Sequence, residues 1–283
     1  MQRFHFHSAA DGWRIACYRW PIEGARATVV IAHGMAEHAQ RYDRFARALN
    51  AAGYAAAAMD HRAHGATLGP QGFGDFGEGG WDALVADIGQ LIDAERERAP
   101  RAPVVLFGHS MGAAAAQHFA PDGSHRIDAL ILSGTALRRP GEAAVVFNAA
   151  FEPARTGYDW LSRDPLEVDK YVADPLCGFE GQSVRNGFVR DDPRRTDAAR
   201  LARIRGDLPV LIVVGDADPV HKNLAGVRYL ETRWREAGVR GIDTRVYPGA
   251  RHELLNETNR DEVTADLIEW LDARLARARS SAW

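Results

Sequence analysis

Short runs rich in apolar and β-branched residues alternate with longer amphipathic stretches along most of this 283-residue chain. The runs predict strands at 28–33, 54–59, 103–108, 128–133, 209–214 and 243–247. The stretches between them, with apolar residues at helical spacing, predict helices at 41–52, 81–98, 111–119, 223–237 and 262–278. Residues 2–8 and 13–20 are predicted as two strands joined by a turn at Asp11-Gly12. This alternation predicts the α/β fold class, with a mostly parallel central sheet flanked by helices.

The alternation stops over residues 136–206, which contain irregular helix-like pieces and many charges but no run that predicts a strand. Regular order resumes with the strand at 209–214. We therefore interpret 136–206 as an insertion between two consecutive strands of one sheet. Residues 1–135 and 207–283 are expected to form the core domain around that sheet.

The composition excludes several classes of protein. Apolar residues make up 46% of the chain and charged residues 26%, and the formal net charge of -3 gives no basic surplus for binding nucleic acid. The two cysteines are too few for a disulfide scaffold or a thiolate-based zinc site. Neither a secretory peptide nor an apolar run near the ~20 residues of a membrane span is visible. We expect a soluble cytoplasmic protein without an integral membrane segment.

A candidate nucleophile lies where a predicted strand meets a predicted helix. Gly108-His109-Ser110-Met111-Gly112 is a G-x-S-x-G pattern, and in that context the serine occupies a strained turn that exposes its hydroxyl. The pentapeptide alone is a weak signal, because glycine and serine are common. Its position between a strand and a helix makes Ser110 the predicted nucleophile.

A serine hydroxyl requires a base, and the base requires an orienting carboxylate. Asp218 follows the strand 209–214, and His252 follows the strand 243–247. Both therefore lie at carboxyl ends of strands, where open α/β sheets build their sites. Asp216 is the rival for the acid, but it lies nearer the strand and is expected to brace the turn, so we favour Asp218.

A serine nucleophile that attacks a carbonyl group forms an oxyanion, and an oxyanion hole requires two backbone N–H donors. The residue after the nucleophile, Met111, supplies one by position. The second is expected from Met35, in the loop that follows the strand 28–33.

Together these motifs resemble the α/β-hydrolase superfamily, in particular its monoacylglycerol lipase and lysophospholipase branch, the serine aminopeptidase S33 type. The segments that carry the resemblance are His33–His38 with Arg41-Tyr42, Asp60–Gly65, Gly108–Gly112, Gly215–Val220 and His252–Glu257. Ala63 departs from the family pattern, which has glycine at that position of an H-x-G-H-G block.

The resemblance implies an α/β-hydrolase fold and hydrolysis of carboxylic esters of single acyl chains through an acyl-serine, without a cofactor. It also implies that the insertion is a cap over the site. Five apolar side chains of the insertion are candidates for lining an acyl tunnel or for packing the cap onto the core: Phe147, Phe151, Tyr158, Trp160 and Leu161.

Other functions remain open at this point. A general short-chain carboxylesterase, a peptidase of the same superfamily and a ligand receptor with negligible turnover are the alternatives. The G-x-G-x-x-G at 72–77 lies too far from the preceding predicted strand for a dinucleotide site. His61 and His64 have no third ligand at a suitable spacing, so no catalytic metal is predicted.

Overall fold

The computed structural model describes residues 1–69, 72–139, 141–143, 145–179 and 192–280, the last five without their side chains. Its centre is an eight-stranded sheet with the order β1-β2-β4-β3-β5-β6-β7-β8. The strands are β1 (Gln2–His7), β2 (Arg14–Trp20), β3 (Thr28–Ala32), β4 (Ala55–Met59), β5 (Val104–His109), β6 (Ala129–Ser133), β7 (Val210–Gly215) and β8 (Ile242–Tyr247). β1 pairs antiparallel with β2, and β2 with β4, whereas β3 to β8 are parallel to one another.

Helices cover both faces of the sheet. They are α1 (Asp43–Ala51), α2 (Gly80–Arg98), α3 (Met111–Gly123), α4 (Pro165–Ala173), α5 (Ala198–Leu201), α6 (Ala225–Glu236) and α7 (Arg260–Ser280). Buried side chains of α2, α3 and α6 share one hydrophobic cluster, and those of α1 and α7 share the other. Neighbouring strand residues alternate between the two clusters, as Val29 and Val30 do, because successive side chains of a strand point to opposite faces.

The predicted fold class is confirmed, and each predicted strand and helix is present with shifted ends. The predicted helix at 41–52 is in fact a 3₁₀ turn at Ala39–Tyr42 followed by α1. Helix α3 runs past its predicted end at residue 119 and contains Pro121, because a proline near the last turn removes only one intrahelical hydrogen bond. No helix in the described part of the chain is long and apolar enough to cross a bilayer.

The insertion leaves the sheet after β6 and returns to it at β7, which is the next strand in the sheet. In its described residues it forms α4, α5 and short 3₁₀ turns, and no strand. The Tyr171 hydroxyl of α4 donates a hydrogen bond of 2.9 Å to the Ala36 carbonyl. The insertion therefore contacts the loop that follows β3, at the carboxyl edge of the parallel strands.

Candidate active site

Ser110 lies in the tight turn between β5 and α3. Its backbone has a φ of 52° and a ψ of -112°, a left-handed conformation that costs energy for a residue with a side chain. The flanking glycines make this turn possible. A methyl group at Gly112 would lie 2.0 Å from the Ala32 carbonyl oxygen, and one at Gly108 would lie 2.6 Å from the Gly112 carbonyl oxygen. The turn therefore requires both glycines of the pattern.

His252 and Asp218 form a buried hydrogen-bonded pair. His252 Nδ1 lies 2.8 Å from Asp218 Oδ2, and the two residues are 1% and 2% exposed. A carboxylate accepts only, so Nδ1 carries the proton and Nε2 is left with a lone pair. Nε2 is buried, and it has no hydrogen-bond partner among the described residues.

Each member of this pair shifts the pKa of the other toward its charged form. Burial lowers the pKa of His252, but the Asp218 carboxylate more than offsets that effect, so the pKa of the imidazole lies above its ordinary value. Burial raises the pKa of Asp218, and the neighbouring His252 outweighs it, so the pKa of this carboxyl is lowered. Asp218 is therefore ionised beside an imidazole of enhanced basicity.

Asp216 takes a different place from its rival. The Gly249 amide donates to Asp216 Oδ1 at 2.6 Å, so this carboxylate joins the loops that follow β7 and β8. Asp218 accepts from the Val220 amide at 2.9 Å as well as from His252. The structure thus brings Asp218, not Asp216, to the histidine.

Backbone contacts connect the serine turn with the histidine. The Ser110 amide donates to the Ser133 carbonyl at 3.0 Å, and a methyl group at the next residue, Gly134, would lie 3.1 Å from His252 Cε1. The His252 ring has a neighbour in the core and one in the insertion, because the rings of His109 and Trp160 each lie 4.8 Å from it. Core and insertion together fix the orientation of this imidazole.

The backbone amides on both sides of Met35 donate hydrogen bonds to side chains. The Gly34 amide donates to Glu37 Oε1 at 2.5 Å, and the Ala36 amide donates to His64 Nε2 at 3.1 Å. A methyl group at Gly34 would lie 3.2 Å from Ser110 Cβ, which places the loop against the serine turn. Met111 is the first residue of α3, and the amides of a helix's first turn have no intrahelical acceptor.

A group of buried histidines supports this loop. His33 Nδ1 donates to the Gly34 carbonyl at 2.8 Å, and its Nε2 accepts from the His61 amide at 2.9 Å. His64 Nδ1 donates to the Arg62 carbonyl at 2.8 Å. Burial lowers the pKa of His64 to about 4 and that of His61 to about 3, so both are neutral at pH 7.

A buried ionic cluster next to the site was missed by the sequence reasoning. Both terminal nitrogens of Arg41 donate to the Glu253 carboxylate at 2.7 Å, and one also donates to Glu37 Oε2 at 2.7 Å. Burial raises the pKa of Glu253, but Arg41 outweighs it and the pKa falls to about 2. The cluster joins the loop that carries Met35 to the residue beside His252. Its residues stand in the motif blocks, but their contact is visible only in the fold.

A cavity of about 550 Å³ opens at the carboxyl edge of the sheet, between the core and the insertion. Ser110, His252, Met35 and Met111 all line it. Four of the five candidate tunnel residues also line it, namely Phe147, Tyr158, Trp160 and Leu161. The fifth, Phe151, does not line it, and its ring lies 4.2 Å from the Arg251 guanidinium.

One group of three potential metal ligands lies together in the described part of the chain: His38, Asp174 and Cys177. His38 Nε2 and Asp174 Oδ2 are 2.9 Å apart, and this hydrogen bond connects the core with the insertion. None of the three residues lines the cavity that contains Ser110.

Comparisons with known proteins find relatives that match this chain over most of its length. The sequence pattern of the family described as serine aminopeptidase S33 matches residues 23–259. The monoacylglycerol lipase of Mycolicibacterium smegmatis is 31% identical over 96% of this chain and 97% of its own length. A thermostable carboxyl esterase from Bacillus coagulans superposes with a TM-score of 0.88 at 27% identity, covering 97% of this chain and 98% of that one. A monoacylglycerol lipase from Paleococcus ferrophilus gives a TM-score of 0.71 at 26% identity, covering 91% and 99%.

Proposed function

The chain belongs to the serine aminopeptidase S33 family of α/β-hydrolases, and from this premise we propose that it cleaves carboxylic esters of single acyl chains, of the monoacylglycerol or lysophospholipid kind. The family match confirms the resemblance carried by the motifs. The observation that carries the proposal is one cavity of about 550 Å³ that contains the strained serine and the imidazole paired with Asp218.

Ser110 is the proposed nucleophile, His252 the general base and Asp218 the residue that holds the imidazole in its reactive tautomer. The left-handed turn at Ser110 and the Nδ1 contact of His252 with Asp218 support these roles. With Nδ1 committed to the carboxylate, only Nε2 can accept a proton.

The backbone amides of Met35 and Met111 form the proposed oxyanion hole. Both residues line the cavity with Ser110, and the loop that carries Met35 is held on each side by hydrogen bonds. Donors that are already fixed stabilise a developing negative charge without reorganising during the reaction.

The reaction then runs in two stages. Ser110 Oγ attacks the ester carbonyl while His252 Nε2 takes its proton, and the alcohol leaves with that proton. Water next attacks the acyl-serine, His252 accepts a proton from it, and the proton returns to Ser110 Oγ as the carboxylic acid departs. Each stage passes through an oxyanion facing the same two amides.

We assign residues 1–135 and 207–283 to the catalytic core domain and residues 136–206 to a cap. Rings of the insertion lie directly beside the catalytic imidazole, since Trp160 contacts His252 and Phe147 stacks on Trp160 at 4.4 Å. Such a wall shelters one alkyl chain, and each methylene it buries contributes ~0.8 kcal/mol. A triacylglycerol, with three chains, exceeds a slot of this kind.

Labelling with a fluorophosphonate, followed by peptide mapping and an ester panel, tests the proposal. We expect the label on Ser110 and much faster hydrolysis of monooctanoin than of trioctanoin. Comparable rates on these two substrates would contradict the proposed preference for single-chain esters. Turnover confined to the shortest acyl chains would support a general carboxylesterase, and labelling without turnover would support a receptor.

A further inference from the structure

The cavity wall carries a positive charge that the proposed mechanism does not use. Arg138 follows the end of β6 and lines the cavity, as do Thr135 and the buried Arg195. The next residue along the chain, Arg139, is exposed, does not line the cavity and lies over the Tyr229 ring at 4.9 Å. Two adjacent arginines therefore face different surroundings.

The Arg138 guanidinium is only partly paired within the protein. One terminal nitrogen donates to the carbonyl oxygens of Glu142 and Ala143 at 2.5 and 2.8 Å. The Glu142 carboxylate lies 4.0 Å from Nε, and Nε is buried with no hydrogen-bond partner in the described chain. A guanidinium has five N–H donors in a planar fork that matches a carboxylate or a phosphate. The side chain is 15% exposed. Its guanidinium therefore has N–H donors left over for an anion other than the Glu142 carboxylate.

The charge distribution in the cavity selects one end for that anion. Where Glu37 and Glu253 line the cavity, the two carboxylates share the single Arg41 guanidinium, so an anion there would be repelled. The cavity wall also offers the hydroxyl of Thr135, three residues before Arg138 in the chain. Its Oγ accepts from Gln117 Nε2 at 2.7 Å, which leaves the hydroxyl proton free to be donated.

We propose that Arg138 and Thr135 form a subsite for an anionic group of the substrate, a carboxylate or a phosphate. The preferred substrates are then single-chain esters that carry a negative charge at one end. The inference rests on the proposed ester hydrolysis at Ser110 and adds a substrate class to it.

Three esters of equal acyl length test the subsite. Monooctanoylglycerol is neutral, the glyceryl half-ester of octanedioic acid carries its charge on the acyl side, and octanoylglycerol phosphate carries it on the alcohol side. We expect kcat/KM for at least one anionic ester to exceed that for the neutral ester. A preference for the half-ester would assign the subsite to the acyl side, and a preference for the phosphate would assign it to the head group.

Matched variants of the two neighbouring arginines locate the effect. In Arg138→Met we expect the ratio of kcat/KM for the anionic to the neutral ester to fall about tenfold, the usual scale for one hydrogen bond to a charged group. Arg138→Lys should recover part of the ratio, and Arg139→Met should keep the wild-type value. If Arg138→Met disturbs the loop that Arg138 supports, Thr135→Val tests the same subsite, because it removes the hydroxyl and leaves Arg138 in place.

The outcomes separate this inference from the function on which it rests. A wild-type enzyme that cleaves both anionic esters no faster than the neutral one, while a fluorophosphonate still labels Ser110, overturns the subsite and leaves the ester hydrolase intact. Equal ratios in Arg138→Met and Arg139→Met also overturn it. Failure of labelling and of turnover on all three esters would instead overturn the proposed function.

Discussion

The loops at the strand ends and the insertion both line one cavity, but different contacts hold them in place. In the loops, backbone lies directly against backbone. A methyl group at Gly112 would lie 2.0 Å from the Ala32 carbonyl oxygen, and one at Gly215 would lie 2.0 Å from that of Ala250. These loops have almost no freedom to shift without disturbing the sheet.

The insertion, by contrast, is attached to the core largely through side chains. Ion pairs connect Arg163 with Glu257 at 2.8 Å and Arg44 with Glu167 at 2.9 Å. Its described helices are short, with nine residues in α4 and four in α5. In both pairs a partly exposed arginine meets a buried carboxylate, and the cost of desolvating the carboxylate offsets much of the attraction.

The two walls meet at the histidine. The Glu253 amide donates to the Leu161 carbonyl at 2.7 Å, and the His252 amide donates to the Trp160 carbonyl at 3.4 Å. The two walls therefore differ in how tightly their residues are held. In the proposed function, bond making requires the small tolerances of the strand-end loops, whereas recognising an acyl chain requires only a wall of suitable shape.

The largest expected effect is on the strand-end side. Ser110→Ala should lower kcat by roughly 10⁴–10⁶ and abolish acyl-enzyme formation, because Ser110 is the proposed nucleophile of a triad and triad members act as a unit. Ester turnover and fluorophosphonate labelling measure it, and thermal unfolding checks the fold. Ser133→Ala, a buried hydroxyl whose Oγ lies 3.4 Å from His109 Nδ1, is the matched control and should cost far less. Near-wild-type activity of Ser110→Ala would refute the assignment.

The next effect separates two aspartates of the same loop. Asp218→Asn should lower kcat by roughly 10⁴, since an amide at this position favours the wrong imidazole tautomer. Asp216→Asn should cost much less, because its carboxylate accepts from the Gly249 amide and does not contact His252. Steady-state kinetics of both variants decide the matter, and the reverse order would transfer the acid's role to Asp216.

A smaller effect concerns pH. As the proposed base, His252 must be neutral to accept a proton, so kcat/KM should fall about tenfold per pH unit below its pKa. Because Asp218 raises that pKa despite burial, the acid limb should lie above the ordinary ~6.5 of histidine. The residual activity of Asp218→Asn should have its limb at lower pH. An acid limb that stays in place in this variant would contradict the pairing.

The smallest expected effect is on the insertion. Phe147→Ala should reduce kcat/KM for octanoate relative to acetate esters about tenfold, if the ring covers about two methylenes of ~0.8 kcal/mol each. Phe151→Ala is the control, since its ring lies against Arg251 rather than along the cavity. Equal chain-length profiles for the two variants would mean that the insertion does not recognise the acyl chain.

The sequence alone determined the order of strands and helices and the residues that stand at strand ends. Ser110, Asp218 and His252 could be selected in this way because each follows a recognisable strand, and parallel strands bring their carboxyl ends to one edge. The position of each strand and of the residue that follows it can be read locally, since hydrophobic periodicity and turn chemistry depend on only a few neighbouring residues. The insertion has no such periodicity, so the sequence did not predict its contacts.

Only the tertiary structure decided which side chains meet across long stretches of chain. Arg41 and Glu253 are separated by 212 residues, and nothing in either motif block indicates their contact. Likewise Arg138 and Arg139 are identical in type and adjacent in sequence, yet only the first lines the cavity. Orientation of this kind depends on how an irregular segment packs against distant elements, and no periodicity of a short segment encodes it.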